Sequence, residues 1–136
     1  MKVGNANNAV FLGTPDAVEY GPDHFSYRGC NMRGQCDCGN VTVTIPELPS
    51  EMNACPCEFC SRVGARWGYF KRDTVQVDGK TDVYRRATRT IEFHRCSICG
   101  VVTHWHEPKG RLPHMGVQML NFDRVVIAEI PIVIEP

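Results

Sequence analysis

The chain has 136 residues, about one domain's length, and its apolar fraction of 43% supports a modest core. Fifteen basic residues balance fifteen acidic ones. Zero net charge argues against a disordered polyelectrolyte tail and makes a nucleic-acid partner unlikely as a prior.

Residues 1–27 are rich in Asn, Gly, Pro and Asp and read as an N-terminal extension to a single domain spanning 28–136. They hold no apolar run of signal-peptide length. The most apolar stretch, Val125 to Ile134, is interrupted by Glu129 and Pro131 and is too short to cross a bilayer. No membrane association is expected, and a cytoplasmic protein is. In that compartment thiols stay reduced and clustered cysteines bind metal more often than they form disulfides.

From Met32 onward strand signals recur. Val41, Val43 and Ile45 alternate with Thr42 and Thr44 until Pro46 ends the pattern. Thr74–Val77 runs into the turn dipeptide Asp78-Gly79, and Val83–Arg86 and Thr90–Phe93 follow as strands. Val101–His106 places Val101, Thr103 and Trp105 on one face and Val102, His104 and His106 on the other. Val117–Leu120 and Val125–Ile134 complete the set, with Pro131 marking the last as an edge strand or a bulge. No window holds a 3.6-residue period over three turns, so the expected fold class is all-β.

Eight cysteines dominate the chemistry: Cys30, Cys36, Cys38, Cys55, Cys57, Cys60, Cys96 and Cys99. Cys36-Asp37-Cys38-Gly39 and Cys96-Ser97-Ile98-Cys99-Gly100 are short clamps, each followed by a glycine that admits the unusual dihedrals of a tight knuckle. Two such pairs joined in space supply the four thiolates of a closed tetrahedral zinc site, which staples a domain because binding energy becomes folding energy. Cys55-Pro56-Cys57-Glu58-Phe59-Cys60 instead offers three thiols and no obvious fourth. An ion there would keep a position open, as catalytic sites do. Cys30, His94, His104, His106 and His114 are the alternatives for that fourth position, and spacing alone does not decide which pairs share an ion. Three thiolates leave a zinc site with net charge −1, which weakens it toward water but suits it to holding a second, exogenous thiol as thiolate.

In these elements the chain resembles the glutathione-dependent formaldehyde-activating enzyme family, which includes the centromere-protein-V-like proteins. The match lies in Gly34-Gln35-Cys36-Asp37-Cys38-Gly39-Asn40-Val41, Cys55-Pro56-Cys57-Glu58-Phe59-Cys60 and Phe93-His94-Arg95-Cys96-Ser97-Ile98-Cys99-Gly100. The resemblance implies a zinc-stapled antiparallel β-tent and two Zn²⁺ per chain. Cys36, Cys38, Cys96 and Cys99 would hold the structural zinc, and Cys55, Cys57 and Cys60 the catalytic one. It implies a carbon–sulfur lyase acting on a thiol–aldehyde adduct, as in condensation of formaldehyde with glutathione to S-(hydroxymethyl)glutathione. Pro56, Glu58 and Phe59 depart from the His-then-Ser pattern common inside this loop, and the expected partner is a small thiol such as glutathione.

Other residues bear on that chemistry. Glu58, inside the loop, is the candidate base for an incoming thiol. Arg62 and Arg66 offer forked guanidinium geometry to a substrate carboxylate. They belong to a basic middle, residues 61–95, with nine basic against four acidic residues. Cys30 reads as a spare thiol. The second functional reading is a non-catalytic zinc module that binds a protein or nucleic-acid partner.

Overall fold

The alternating run ending at Ile45 forms a strand, and its inward residues Val43 and Ile45 are buried. In this computed structural model, residues 31–86 and 90–136 are described. The extension expected over 1–27 and Cys30 lie outside them. In chain order the elements are β1 (Met32–Gln35), β2 (Thr42–Ile45), β3 (Met52–Ala54), α1 (Glu58–Val63), β4 (Trp67–Lys71), β5 (Gln76–Asp78), β6 (Thr81–Arg85), β7 (Glu92–Cys96), β8 (Val102–His106), β9 (His114–Gln118), α2 (Arg124–Ile127) and β10 (Ile132–Ile134). Among them no helix is long and apolar enough to cross a membrane.

Two sheets result, a three-stranded one in the order β1-β2-β5 and a seven-stranded one in the order β10-β3-β4-β9-β8-β7-β6. All pairings are antiparallel except that of β10 with β3. Met32, Val43 and Ile45 from the small sheet meet Phe70, Met115, Val117 and Met119 from the large one in the main core. The opposite face of the large sheet carries Trp67 and Phe93, packed around Cys60 and Phe59. The large sheet is therefore covered on both faces, by a second sheet on one and by the cysteine loop on the other.

The fold is mostly β, as expected, with corrections at four places. Val125–Ile134 is not one strand. The Asp123 side chain accepts from the Val125 amide at 2.8 Å and starts the turn α2, and only Ile132–Ile134 pairs, at the sheet edge. That β10 lies beyond Pro131 on an edge agrees with the constraint a proline sets, since it cannot donate to a ladder. The strand expected over Val117–Leu120 begins earlier, at His114, and yields after Gln118 to a 3₁₀ turn. Strands β3 and β4 were not expected at all; β4 reads WGYFK, with aromatic residues that favour a half-buried pleat. The helix α1 is also new, and at six residues it is too short to show a period.

Ile45 is fully buried between the sheets. Ile45→Ala is expected to destabilise the metal-loaded protein by about 2–5 kcal/mol, the range for such truncations. Urea unfolding followed by tryptophan fluorescence measures it; a loss below about 1 kcal/mol would show that the two sheets do not share this core.

Candidate metal centres

The first clamp links β1 to β2 and the second links β7 to β8. Both fold the same way. Cys36 N–H donates to Val41 O at 3.0 Å, and Cys96 N–H to Val101 O at 2.9 Å. Gly39 N–H and Gly100 N–H turn back to the carbonyls of Cys36 and Cys96, at 3.1 and 3.0 Å. Each glycine sits at φ near +80° (81° and 82°), left-handed backbone that other residues rarely adopt. The knuckles aim their sulfurs at one point. Cys38 Sγ lies 3.7 Å from Cys36 Sγ and 3.6 Å from Cys96 Sγ, and with Cys99 all four are within 4.8 Å of one another. Two thiolates on one tetrahedral zinc, at Zn–S distances of about 2.3 Å, stand about 3.8 Å apart. The donor set fits zinc in identity, number and spacing. It takes one pair from each sheet, so an ion there ties the two together.

Amide hydrogens line this cradle. Val41 N–H donates to Cys36 Sγ at 3.2 Å, and Ile98 and Cys99 N–H donate to Cys96 Sγ at 3.3 and 3.4 Å. Burial opposes ionisation of Cys96, but these two amides together with the neighbouring Cys36 and Cys38 thiols outweigh it and bring the thiol down to about 6. Burial pushes Cys36 up to about 12.

The second centre is built from the end of β3 and the start of α1. Cys55 follows the strand. Cys57 caps the helix, its Sγ accepting from Cys60 N–H at 3.4 Å, and Cys60 lies on the first turn beneath it. Gly64, with φ of 67°, ends the helix after six residues. The three sulfurs are mutually within 4.8 Å, and no fourth Cys, His, Asp or Glu joins them among the described residues. Cys60 is buried; Cys55 and Cys57 are half-buried.

Two donors reach the trio from distant segments. Trp67 Nε1–H donates to Cys60 Sγ at 3.3 Å, and Arg86 Nη1 donates to Cys57 Sγ at 3.3 Å. Burial opposes ionisation of Cys57, but the Cys60 amide, the neighbouring thiols and Arg86 together bring it down to about 7. Burial pushes Cys60 up to about 12. Phe59 stacks beside this centre, its ring centroid 4.1 Å from Phe93 and 5.5 Å from Tyr84. Phe59, Tyr84, Phe93, Val102 and Arg95 help line an adjoining cleft of about 340 Å³.

The remaining candidates fall elsewhere. The Glu58 side chain is 79% exposed and pairs with Arg62 at 3.4 Å, one helical turn on, rather than joining the sulfurs. Arg66 donates to the Ala65 carbonyl at 2.9 Å. His94, His104 and His106, offered by spacing as a fourth ligand, instead gather as a group of their own, and His114 is exposed at the start of β9. Neither Arg86 nor Trp67 was singled out for the trio from the sequence. Arg86 stands 29 positions from Cys57, with no local signal to join them.

Comparison with known proteins agrees with this geometry. The profile of the family described as glutathione-dependent formaldehyde-activating enzyme matches residues 31–130. A crystal structure of a Rhodobacter sphaeroides protein superposes with a TM-score of 0.62 at 26% identity, covering 75% of this chain and all of that one. Among curated proteins, none matches.

Two outcomes follow from the donor sets. Cys96→Ser opens the clamp between the sheets and is expected to abolish cooperative unfolding along with one bound zinc, since structural zinc contributes about 10–16 kcal/mol in small domains. Circular dichroism melts with metal counting check this; a melt unchanged from wild type would remove the stapling role. Arg86→Met is expected to weaken zinc at the trio about 10–100-fold, the usual cost of losing a partner to a ligand. Competition with a chromophoric chelator reads it, and equal affinity in both proteins would leave Arg86 without that role.

Proposed function

Because the chain belongs to the glutathione-dependent formaldehyde-activating enzyme family, we propose that it is a zinc-dependent carbon–sulfur lyase acting on the adduct of a small thiol with an aldehyde. The observation that carries this reading is the three-sulfur donor set with no fourth protein donor among the described residues. Zinc bound there supplies an open coordination position and a cationic centre beside which a visiting thiol stays ionised at neutral pH.

The protein's own groups do the rest. Cys55, Cys57 and Cys60 hold the ion, while Trp67 and Arg86 donate hydrogen bonds to two of the sulfurs and orient them. In the addition direction the substrate thiolate attacks the carbonyl carbon, a C–S bond forms, and the carbonyl oxygen takes up a proton. The reverse direction breaks that bond and returns thiol and aldehyde. Glu58 is the base assigned to the incoming thiol, and reaching it requires the carboxylate to leave Arg62. The adjoining aromatic cleft gives the carbon partner an apolar wall. Glutathione is the thiol we test first, and cytosol, where thiols are abundant and reduced, is the compartment that suits this chemistry.

Native mass spectrometry with and without glutathione tests the reading. We expect one ion at each cysteine centre and a glutathione adduct that needs the second. Cys57→Ser should lose that ion and reduce adduct formation from thiol and formaldehyde to the uncatalysed background, while the melt persists. Ions held at both centres with no dependence on any thiol would return the chain to a zinc-stapled binding module. Glu58→Gln should lower kcat with zinc retained; an unchanged kcat would strike Glu58 from the site.

A further inference from the structure

On the core-facing side of the large sheet, three imidazoles converge. The β7–β8 register sets His94 directly opposite His104 and Glu92 opposite His106, and His104 and His106 share one strand face. His94 and His104 stack with ring centroids 4.2 Å apart, and His106 lies 4.7 Å from His94. One nitrogen from each ring lies within 4.8 Å of the other two. A register shift follows at His94/Arg95, leaving Thr103 without a cross-strand partner. Bulges of this kind re-aim side chains and are frequent beside functional sites.

Hydrogen bonding engages one nitrogen of His94 and one of His104 and leaves the other of each free. Thr103 Oγ1 donates to the His94 carbonyl at 3.3 Å and lies 2.9 Å from His104 Nδ1. A hydroxyl has one proton, so with that proton on the carbonyl, Nδ1–H of His104 must donate to the hydroxyl oxygen. Nε2 of His104 is then a bare lone pair. Thr81 Oγ1 holds His94 Nδ1 at 2.8 Å and leaves its Nε2 free. Among the described residues, His94 Nε2 and His106 Nδ1 are buried polar atoms without a hydrogen-bond partner. Two such atoms in one cluster are costly and call for an explanation.

We propose that His94, His104 and His106 form a third metal site, separate from both cysteine centres, for a divalent first-row transition ion. Three imidazoles, two of them held from outside by threonine hydroxyls, are a donor set that zinc, copper or nickel accept and that magnesium and calcium do not. Nitrogens sharing one ion at about 2.1 Å stand about 3.0–3.4 Å apart, within the 4.8 Å that bounds the three ring nitrogens here. Glu92 Oε1, 3.6 Å from His94 Nε2, faces the site while its other oxygen accepts from Arg85 Nε at 2.6 Å. Its charge offsets that of Arg72, which all three rings feel and whose Nη1 is tied to the Glu107 carbonyl at 3.0 Å. Neutral donors leave the ion its full charge, unlike the thiolate trio, so this centre is the stronger Lewis acid of the two.

Equilibrium dialysis of the full chain against zinc, with bound metal counted by mass spectrometry, tests the site independently of any lyase activity. We expect three ions per chain in wild type and two in His94→Gln and in His106→Gln, with excess magnesium leaving the count unchanged. Two ions in wild type, or three in both variants, would overturn the proposal. Should the variants fail to fold, anomalous diffraction at the zinc edge from wild-type crystals decides. A peak between the three rings supports the site, and its absence with both cysteine centres filled refutes it.

Discussion

The structure depends on one junction, where two cysteine knuckles from different sheets bring four sulfurs to a point. The three-stranded sheet has strands of only three or four residues, and such a sheet buries little on its own. What holds it against the larger sheet is the shared core of Val43, Ile45, Val117 and Met119 together with the sulfur clamp at one end. Cys36, Val41 and Cys96 are themselves buried, so the clamp is continuous with the apolar packing rather than appended to it. With the sheets fixed there, β7 and β8 leave the same knuckle in register, and everything carried on them inherits that placement.

The two cysteine centres differ in what surrounds the same element, sulfur. At the clamp, four thiols close a shell and backbone amides line it. At the trio, three thiols are the only donors among the described residues, and their partners are an indole N–H and a guanidinium that arrive from β4 and from the end of β6. Closed shells favour permanence and open ones favour exchange, because only the latter admits a ligand without losing a protein donor. The aromatic contacts of Phe59 with Phe93 and Tyr84 pack the helix that bears Cys57 and Cys60 onto the sheet. Rigid support of this kind keeps a small donor set in shape.

Much of this was legible from residue order. The knuckles, their glycines, the grouping of cysteines into two pairs and a trio, and the alternating strand at Val41–Ile45 all arise from contacts within a few residues. Where local signals were thin, the reading faltered. A six-residue helix inside the cysteine loop shows no period, and β3, only three residues long, has no room to alternate. Asp123 capping a short helical turn was hidden within a run of valines and isoleucines that also suits a strand.

The sequence by itself determined the chemistry available here, sulfur-rich metal binding in a small β domain, because ligand type and close spacing are written along the chain. Tertiary structure decided which groups meet. Arg86 finds Cys57, Trp67 finds Cys60, Cys38 finds Cys96 across 58 positions, and His94 finds His104 and His106 rather than the cysteine trio. These encounters follow from strand register and from sheets closing on a common core, which depend on the packing of the whole domain and leave no trace in local spacing.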